Sequence, residues 1–130
     1  MFAFRLESWS GVPAYLQLVQ QVRQALTLGY LHHGDQLPTV KEVAGDLAVN
    51  PNTVVKAYRQ LEQEGLVTAR QGLGTFVTSS IPAVPPARQA ALRRALERWL
   101  RDAYAAGLDE QAVNALVATT HRELRARGVA

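Results

Sequence analysis

On a helical wheel of about 100° per residue, the stretch after Asn50 sorts into two sides. Val54, Tyr58 and Leu61 cluster on one, with Ala57 beside them; the other carries Asn52, Lys56, Arg59 and Gln63, flanked by Thr53 and Gln60. Every member of the second set donates hydrogen bonds and none is acidic, because Glu62 and Glu64 fall away from its centre. Duplex DNA asks for such a face: major-groove base edges offer acceptors, and phosphates need donors. Asn52 and Thr53, in the first turn, are placed for base edges, and Lys56 and Arg59 suit phosphate or guanine. The helix start at Asn50 also offers free backbone amides to a phosphate. An ordinary solvated face would share this composition, so the elements around it must decide.

Those elements read as a helix-turn-helix with a hairpin behind it. Asn50 is a good N-cap and Pro51 a good first helical residue, while Gly65 ends the helix with Leu66 following. Upstream, Thr39-Val40-Lys41-Glu42 forms a capping box that opens a short helix with Val40, Val43, Ala44 and Leu47 on its inner stripe. Lys41 lies in the first turn of that helix, the element that crosses the DNA backbone in this kind of docking. Downstream, residues 67–70 and 75–78 read as strands joined by Gln71-Gly72-Leu73-Gly74. Arg70, Gln71, Gly72 and Gly74 form a second candidate contact, since a Gly-x-Gly tip lets backbone approach a phosphate or the minor groove. An earlier helix runs from Pro13 to near Leu28 on a stripe of Tyr15, Leu18, Val19, Val22, Ala25 and Leu26, stopped by Gly29. Before it, residues 1–12 read as an arm anchored by Phe2, Phe4, Leu6 and Trp9. Gln36 and Leu37 are placed for a very short strand beside the hairpin.

The prolines of residues 79–87 mark a semi-stiff linker. Residues 88–130 then read as an αα-hairpin, broken at Gly107 and restarted at Asp109. One apolar stripe holds Leu92, Leu96, Trp99 and Leu100, and the other Val113, Leu116, Val117 and Leu124. Two such helices cannot bury both stripes alone. A second copy of the chain would cover them, and a twofold dimer matches a palindromic DNA site. The expected architecture is therefore mostly α: a winged helix-turn-helix over residues 1–78, a linker, and a two-helix dimerisation region.

Composition narrows the function classes. A 130-residue chain that is 48% hydrophobic can build a core, and with no cysteine it has neither a disulfide framework nor thiolate metal ligands. There is no apolar run of membrane-spanning length and no signal-peptide layout at the start, so the expected location is the cytoplasm. Adjacent His32 and His33 and a lone His121 lack the further ligands of a metal site. No nucleophile–base set or paired carboxylates stand in a catalytic motif, so neither an enzyme nor a cofactor is expected. The formal net charge of +3 is distributed unexpectedly: residues 1–80 hold six Lys/Arg against six Asp/Glu, and residues 81–130 hold eight Arg against five acids. The candidate reading face thus sits in a neutral segment, and the tail arginines form a solvated face that adds long-range attraction to DNA. That neutrality leaves open a winged-helix module that docks protein or RNA instead.

Residues 37–77 resemble the winged helix-turn-helix of GntR-family bacterial transcriptional regulators. The resemblance rests on Leu37-Pro38-Thr39-Val40-Lys41-Glu42-Val43-Ala44, Val49-Asn50-Pro51-Asn52-Thr53-Val54, Ala57-Tyr58, Leu61-Glu62, Glu64-Gly65-Leu66 and Gly72-Leu73-Gly74-Thr75-Phe76-Val77. The Asn-Pro-Asn-Thr-Val run, the arm and the short tail are similar to the YtrA-like subgroup, which implies a dimeric repressor, often of a transporter operon. The resemblance implies DNA contact at Lys41, Asn52, Thr53, Lys56, Arg70 and Gly72. It also exposes departures: Lys41 stands where arginine is usual, and Pro51 and Val55 replace arginines that read bases in relatives. The tail is too short for the large effector domains of most relatives, so an unknown small-molecule effector would need a pocket at the dimer interface.

Overall fold

The computed structural model describes residues 2–79 and 83–129, so part of the expected linker, residues 80–82, lies outside the described residues. Among the described residues five helices and one small sheet follow in the order α1 (Ala14–Leu28), α2 (Val40–Leu47), α3 (Pro51–Gln63), β1 (Val67–Arg70), β2 (Gly74–Val77), α4 (Pro86–Ala105) and α5 (Glu110–Ala126). The fold is a winged helix-turn-helix followed by an αα-hairpin. Contacts divide the chain into two compact units after Pro86.

In the first unit α3 is the central element. Leu18, Val19 and Val22 of α1 and Val54, Ala57 and Leu61 of α3 are closed to solvent, together with Val77 of β2. Burying each of the larger side chains contributes about 1.5–3 kcal/mol, which fixes α3 by its inner face and leaves the outer one free. Local signals set the helix ends. Gly29 closes α1 at φ 80°, and Tyr30 N–H returns to the Ala25 carbonyl at 2.8 Å. Pro13, expected inside the first turn, stands one position earlier as the N-cap. The α2 capping box is complete, with Thr39 Oγ1 accepting from Glu42 N–H at 3.1 Å and Glu42 Oε1 from Thr39 N–H at 3.2 Å. The turn into α3 uses Ala48 in the left-handed region (φ 54°, ψ 45°), a conformation no glycine or asparagine announces.

The wing is an antiparallel pair with Val67 opposite Val77 and Arg70 opposite Gly74, so β2 begins one residue earlier than expected. A bridge from Gln36 to Phe76 adds the short third segment, extended by Leu37 N–H to the Thr75 carbonyl and Val77 N–H to the Asp35 carbonyl.

Phe4 enters the core, with Phe2 and Leu6 packed against it. Trp9 does not: it is 82% exposed and anchors nothing. The reason lies on α1. Gln21 exchanges hydrogen bonds with both backbone groups of Arg5, and Gln17 does the same for Glu7 while also donating to Ser10 Oγ and the Val12 carbonyl. Gripped at Glu7 and Val12, the arm turns through Ser8 and Trp9 and pushes the indole outward.

In the second unit α4 closes with Gly107 at φ 99° and Leu108 N–H on the Ala103 carbonyl; Asp109 then caps α5 by accepting from Ala112 N–H at 2.8 Å. Ala103 and Val113 are the buried hydrophobic residues of this unit among those described.

Candidate nucleic-acid interface

The outer row of α3 is built as a donor face. Asn52, Lys56, Arg59 and Gln63 are exposed, and Thr53 is half-buried at the edge of the first turn. Asn50 Oδ1 caps the helix by accepting from Asn52 N–H at 2.8 Å, so that oxygen holds the helix start in shape.

The two acids at the end of α3, Glu62 within it and Glu64 as its C-cap, are each engaged by other residues, which composition alone does not reveal. Glu62 accepts from Ala69 N–H at 3.1 Å, binding the end of α3 to the wing. Glu64 takes a two-pronged bond from Arg23 of α1, at 2.6 and 2.7 Å, and a further one from Gln60. The Arg23 hydrogen bonds, reinforced by its charge, hold the Glu64 carboxyl below its ordinary range against the opposing effect of burial. The row from Asn52 to Gln63 thus faces outward with no carboxylate of its own helix pointing across it.

Lys56 departs from a simple outward aim. Its ammonium lies 4.0 Å from the centroid of the Tyr15 ring, which positions the side chain at the α1 edge of the face. Such a contact stabilises an exposed pair by about 0.5–1 kcal/mol, little enough for a phosphate to compete. Tyr15, Arg23 and Glu62 support the face yet carry no local sequence signal of that role, because their partners lie on other elements.

Tyr58 links α3 to the entry of α2. Its hydroxyl donates to the Pro38 carbonyl, and its ring packs near Phe4. Burial, aided by the charge of Glu42, pushes the phenol well above its ordinary value, so it remains a neutral donor. Pro38 immediately precedes the Thr39 cap, so this bond sets where α2 starts and hence where the exposed Lys41 stands.

In the wing, Leu73 N–H bonds to the Arg70 carbonyl at 3.0 Å, closing a tight turn with Gln71 and Gly72 exposed at its tip. Gly72 sits at φ 76° with open space where a Cβ would be, the position at which such a turn requires glycine. Arg70 lies over the Phe76 ring, 5.2 Å from its centroid. Gly74 answers a different need: at φ 123°, a Cβ there would come within 2.5 Å of Gln36 Nε2, which itself donates to the Leu73 carbonyl. Asn50, Asn52, Thr53, Lys56 and Arg59 therefore share one helix, Lys41 stands on the helix before it, and Arg70, Gln71, Gly72 and Gly74 occupy the hairpin.

Among the tail residues, Leu92, Leu96, Trp99, Leu116 and Val117 are exposed, Leu100 and Leu124 half-buried and Val113 buried. Among the described residues no group of three or more His, Cys, Asp or Glu is placed to hold a metal ion, and no helix is long and apolar enough to cross a membrane.

A short α2, a tight turn, a donor-faced α3 and a glycine-tipped wing define a DNA-binding transcriptional regulator. Residues 14–77 match the family described as bacterial regulatory proteins, gntR family. The chain is 32% identical over 106 residues to the HTH-type transcriptional repressor YtrA of Bacillus subtilis, covering 81% of this chain and 82% of that one. It belongs to the GntR family, whose members are regulators and not enzymes. Among solved structures, YtrA from Sulfolobus acidocaldarius, a GntR-family transcription factor, aligns at a TM-score of 0.55 and 32% identity over 75% of this chain and 97% of that one. The AraR DNA-binding domain in complex with operator ORX1 aligns at a TM-score of 0.50 and 28% identity over 60% of this chain and 93% of that one.

Proposed function

We propose that this regulator is a homodimeric repressor that binds an inverted-repeat operator. The observation that carries the reading is the outer face of α3, a row of donors whose neighbouring acids are engaged by Ala69 and Arg23. In this reading Asn52 and Thr53 meet base edges, and Arg59 and Lys56 take phosphate or guanine. Asn50 holds the helix start in shape and occupies the amides of Asn52 and Thr53, which the sequence had offered to a phosphate, so the backbone contact falls to Lys41 on the helix before it. Arg70, Gln71 and Gly72 reach phosphate or the adjacent minor groove, and Gly74 keeps the wing tight enough to do so. The operator complex of the AraR domain supports this use of the fold. Repression is supported by the name of the Bacillus subtilis relative.

Dimerisation falls to residues 88–130. Leu92 at 59% and Leu96 at 53% exposure, with Trp99, Leu116 and Val117, form apolar surface that a second copy would cover. Half-buried Leu100 and Leu124 would complete that stripe, whereas Val113, expected at the interface, is already buried within its own unit and supports the stripe from beneath. A twofold dimer places two α3 helices on half-sites a whole number of turns apart, about 10–10.5 base pairs per turn. Any small-molecule effector would act at that dimer interface.

A gel shift with the DNA upstream of the protein's own gene tests the reading, run beside sedimentation. A salt-sensitive shift by a dimer supports it. No shift by folded protein at low salt would sink operator binding and favour a protein- or RNA-docking module. Monomers that still shift the DNA would sink the dimer alone.

A further inference from the structure

We propose that Arg94, Arg98 and Arg101 of α4 form a second DNA contact, a row that grips duplex backbone outside the base-reading site. The three are exposed, and none makes an ion pair among the described residues. Of the two acids beside the row, Glu97 is engaged by Arg93 at 3.5 Å, and Asp102, four residues after Arg98, makes no ion pair with it among the described residues. Spaced at i, i+4 and i+7, they fall within an arc of about 60° and step along the helix by about 6 and then 4.5 Å. Leu92, Leu96, Trp99 and Leu100 occupy the opposite side of the same helix.

This geometry follows a division of labour in charge. Residues 1–80 are balanced, six Lys/Arg against six Asp/Glu, so the reading unit has little net attraction for a polyanion. The excess of cations lies in the tail. If the apolar side of α4 is covered in a dimer, as proposed above, the arginine row stays on the outside and is duplicated by the twofold. Guanidinium groups suit phosphate oxygens through paired, charge-assisted hydrogen bonds, and a backbone contact of this kind is indifferent to sequence. The partner is therefore the phosphate backbone of duplex DNA, and the row's contribution is salt-sensitive hold on any sequence.

The test uses the full chain and a random-sequence duplex of about 40 base pairs, so no operator need be known. Binding is measured by fluorescence anisotropy between about 50 and 200 mM salt. Three contacts contribute about 0.9 each to the slope of log K against log salt, so R94Q/R98Q/R101Q should flatten it by about 2.7 for each engaged row. That corresponds to roughly 40-fold less salt-induced loss over the range. The Lys triple variant at the same positions should largely retain the wild-type slope. R122Q/R125Q/R127Q removes the same charge from elsewhere in the tail and should change the slope much less. Equal flattening by the two Gln triples would overturn the row in favour of bulk charge, and no flattening by either would overturn it outright. Sedimentation of wild type and of each variant separates this outcome from loss of the dimer: a wild type that is itself monomeric and shows the row-specific flattening would refute the dimer and leave the row standing, whereas flattening in an Arg-to-Gln triple that alone has become monomeric would overturn the row.

Discussion

Tyr58→Phe removes one oxygen and asks whether the Tyr58–Pro38 bond holds the two DNA-facing helices in register. The ring stays, so packing against Phe4 and the core is conserved, and only the donor to the Pro38 carbonyl is lost. A typical net hydrogen bond is worth about 0.5–1.5 kcal/mol, and a carbonyl left wholly buried would cost more. Pro38 is half-buried, so water can partly replace the phenol, and about 1 kcal/mol is expected. For a unit of this size that is a fall in Tm of roughly 4–8 °C. The measurement is thermal and urea unfolding near pH 7, with an unchanged urea m-value showing that only stability has moved. A pH series sharpens it. The folded phenol titrates above the ordinary 10.0, so its share of stability is complete below about pH 10 and declines as pH rises beyond it, where the unfolded tyrosine loses its proton first. Tyr58→Phe should lack that alkaline decline and approach wild type above pH 10. Equal Tm values at pH 7 with parallel curves into the alkaline range would show that the Tyr58–Pro38 bond does not hold the two helices.

Other consequences follow from the same contacts. Gly74→Ala should cost about 1–3 kcal/mol through its φ of 123° and the displacement of Gln36, measured by urea unfolding. Because the Glu64 carboxyl is held low, the Arg23–Glu64 pair contributes above the ordinary carboxylate value of 4.5 and is lost as pH falls through the depressed value. Arg23→Gln should therefore lower stability near neutrality by about 0.2–1 kcal/mol, since the pair is partly exposed, and match wild type in strong acid. Leu96→Asp with Leu116→Asp should yield monomers in sedimentation; an unchanged dimer would remove the tail from the interface.

Much of the fold is legible because its signals are local. The Thr39–Glu42 box, the Asn50-Pro51 start and the Gly29 and Gly65 stops each involve residues a turn apart. The bridge from Gln36 to the wing is also readable, since it lies between two clear elements. What escapes depends on distant partners or on residues without a signature. Ala48 takes the left-handed turn between α2 and α3 although nothing in its side chain favours that conformation. Gln17 and Gln21 look like solvent-facing helix residues, yet their amides hold the arm and turn Trp9 outward. The donor row can be counted from the sequence, but the fate of Glu62 and Glu64 cannot, because Ala69 and Arg23 meet them only in the folded chain. Lys56 is likewise drawn aside by Tyr15, forty-one positions away.

The central claim is that the first turn of α3 reads bases. Selection of bound sites from a random duplex library, with wild type and Asn52→Ala compared, tests it most directly. Wild type should select a twofold-symmetric consensus. In the variant, discrimination should fall by about 1–3 kcal/mol at one base pair in each half-site, with folding intact. A variant that recovers the same consensus at the same stringency would contradict it.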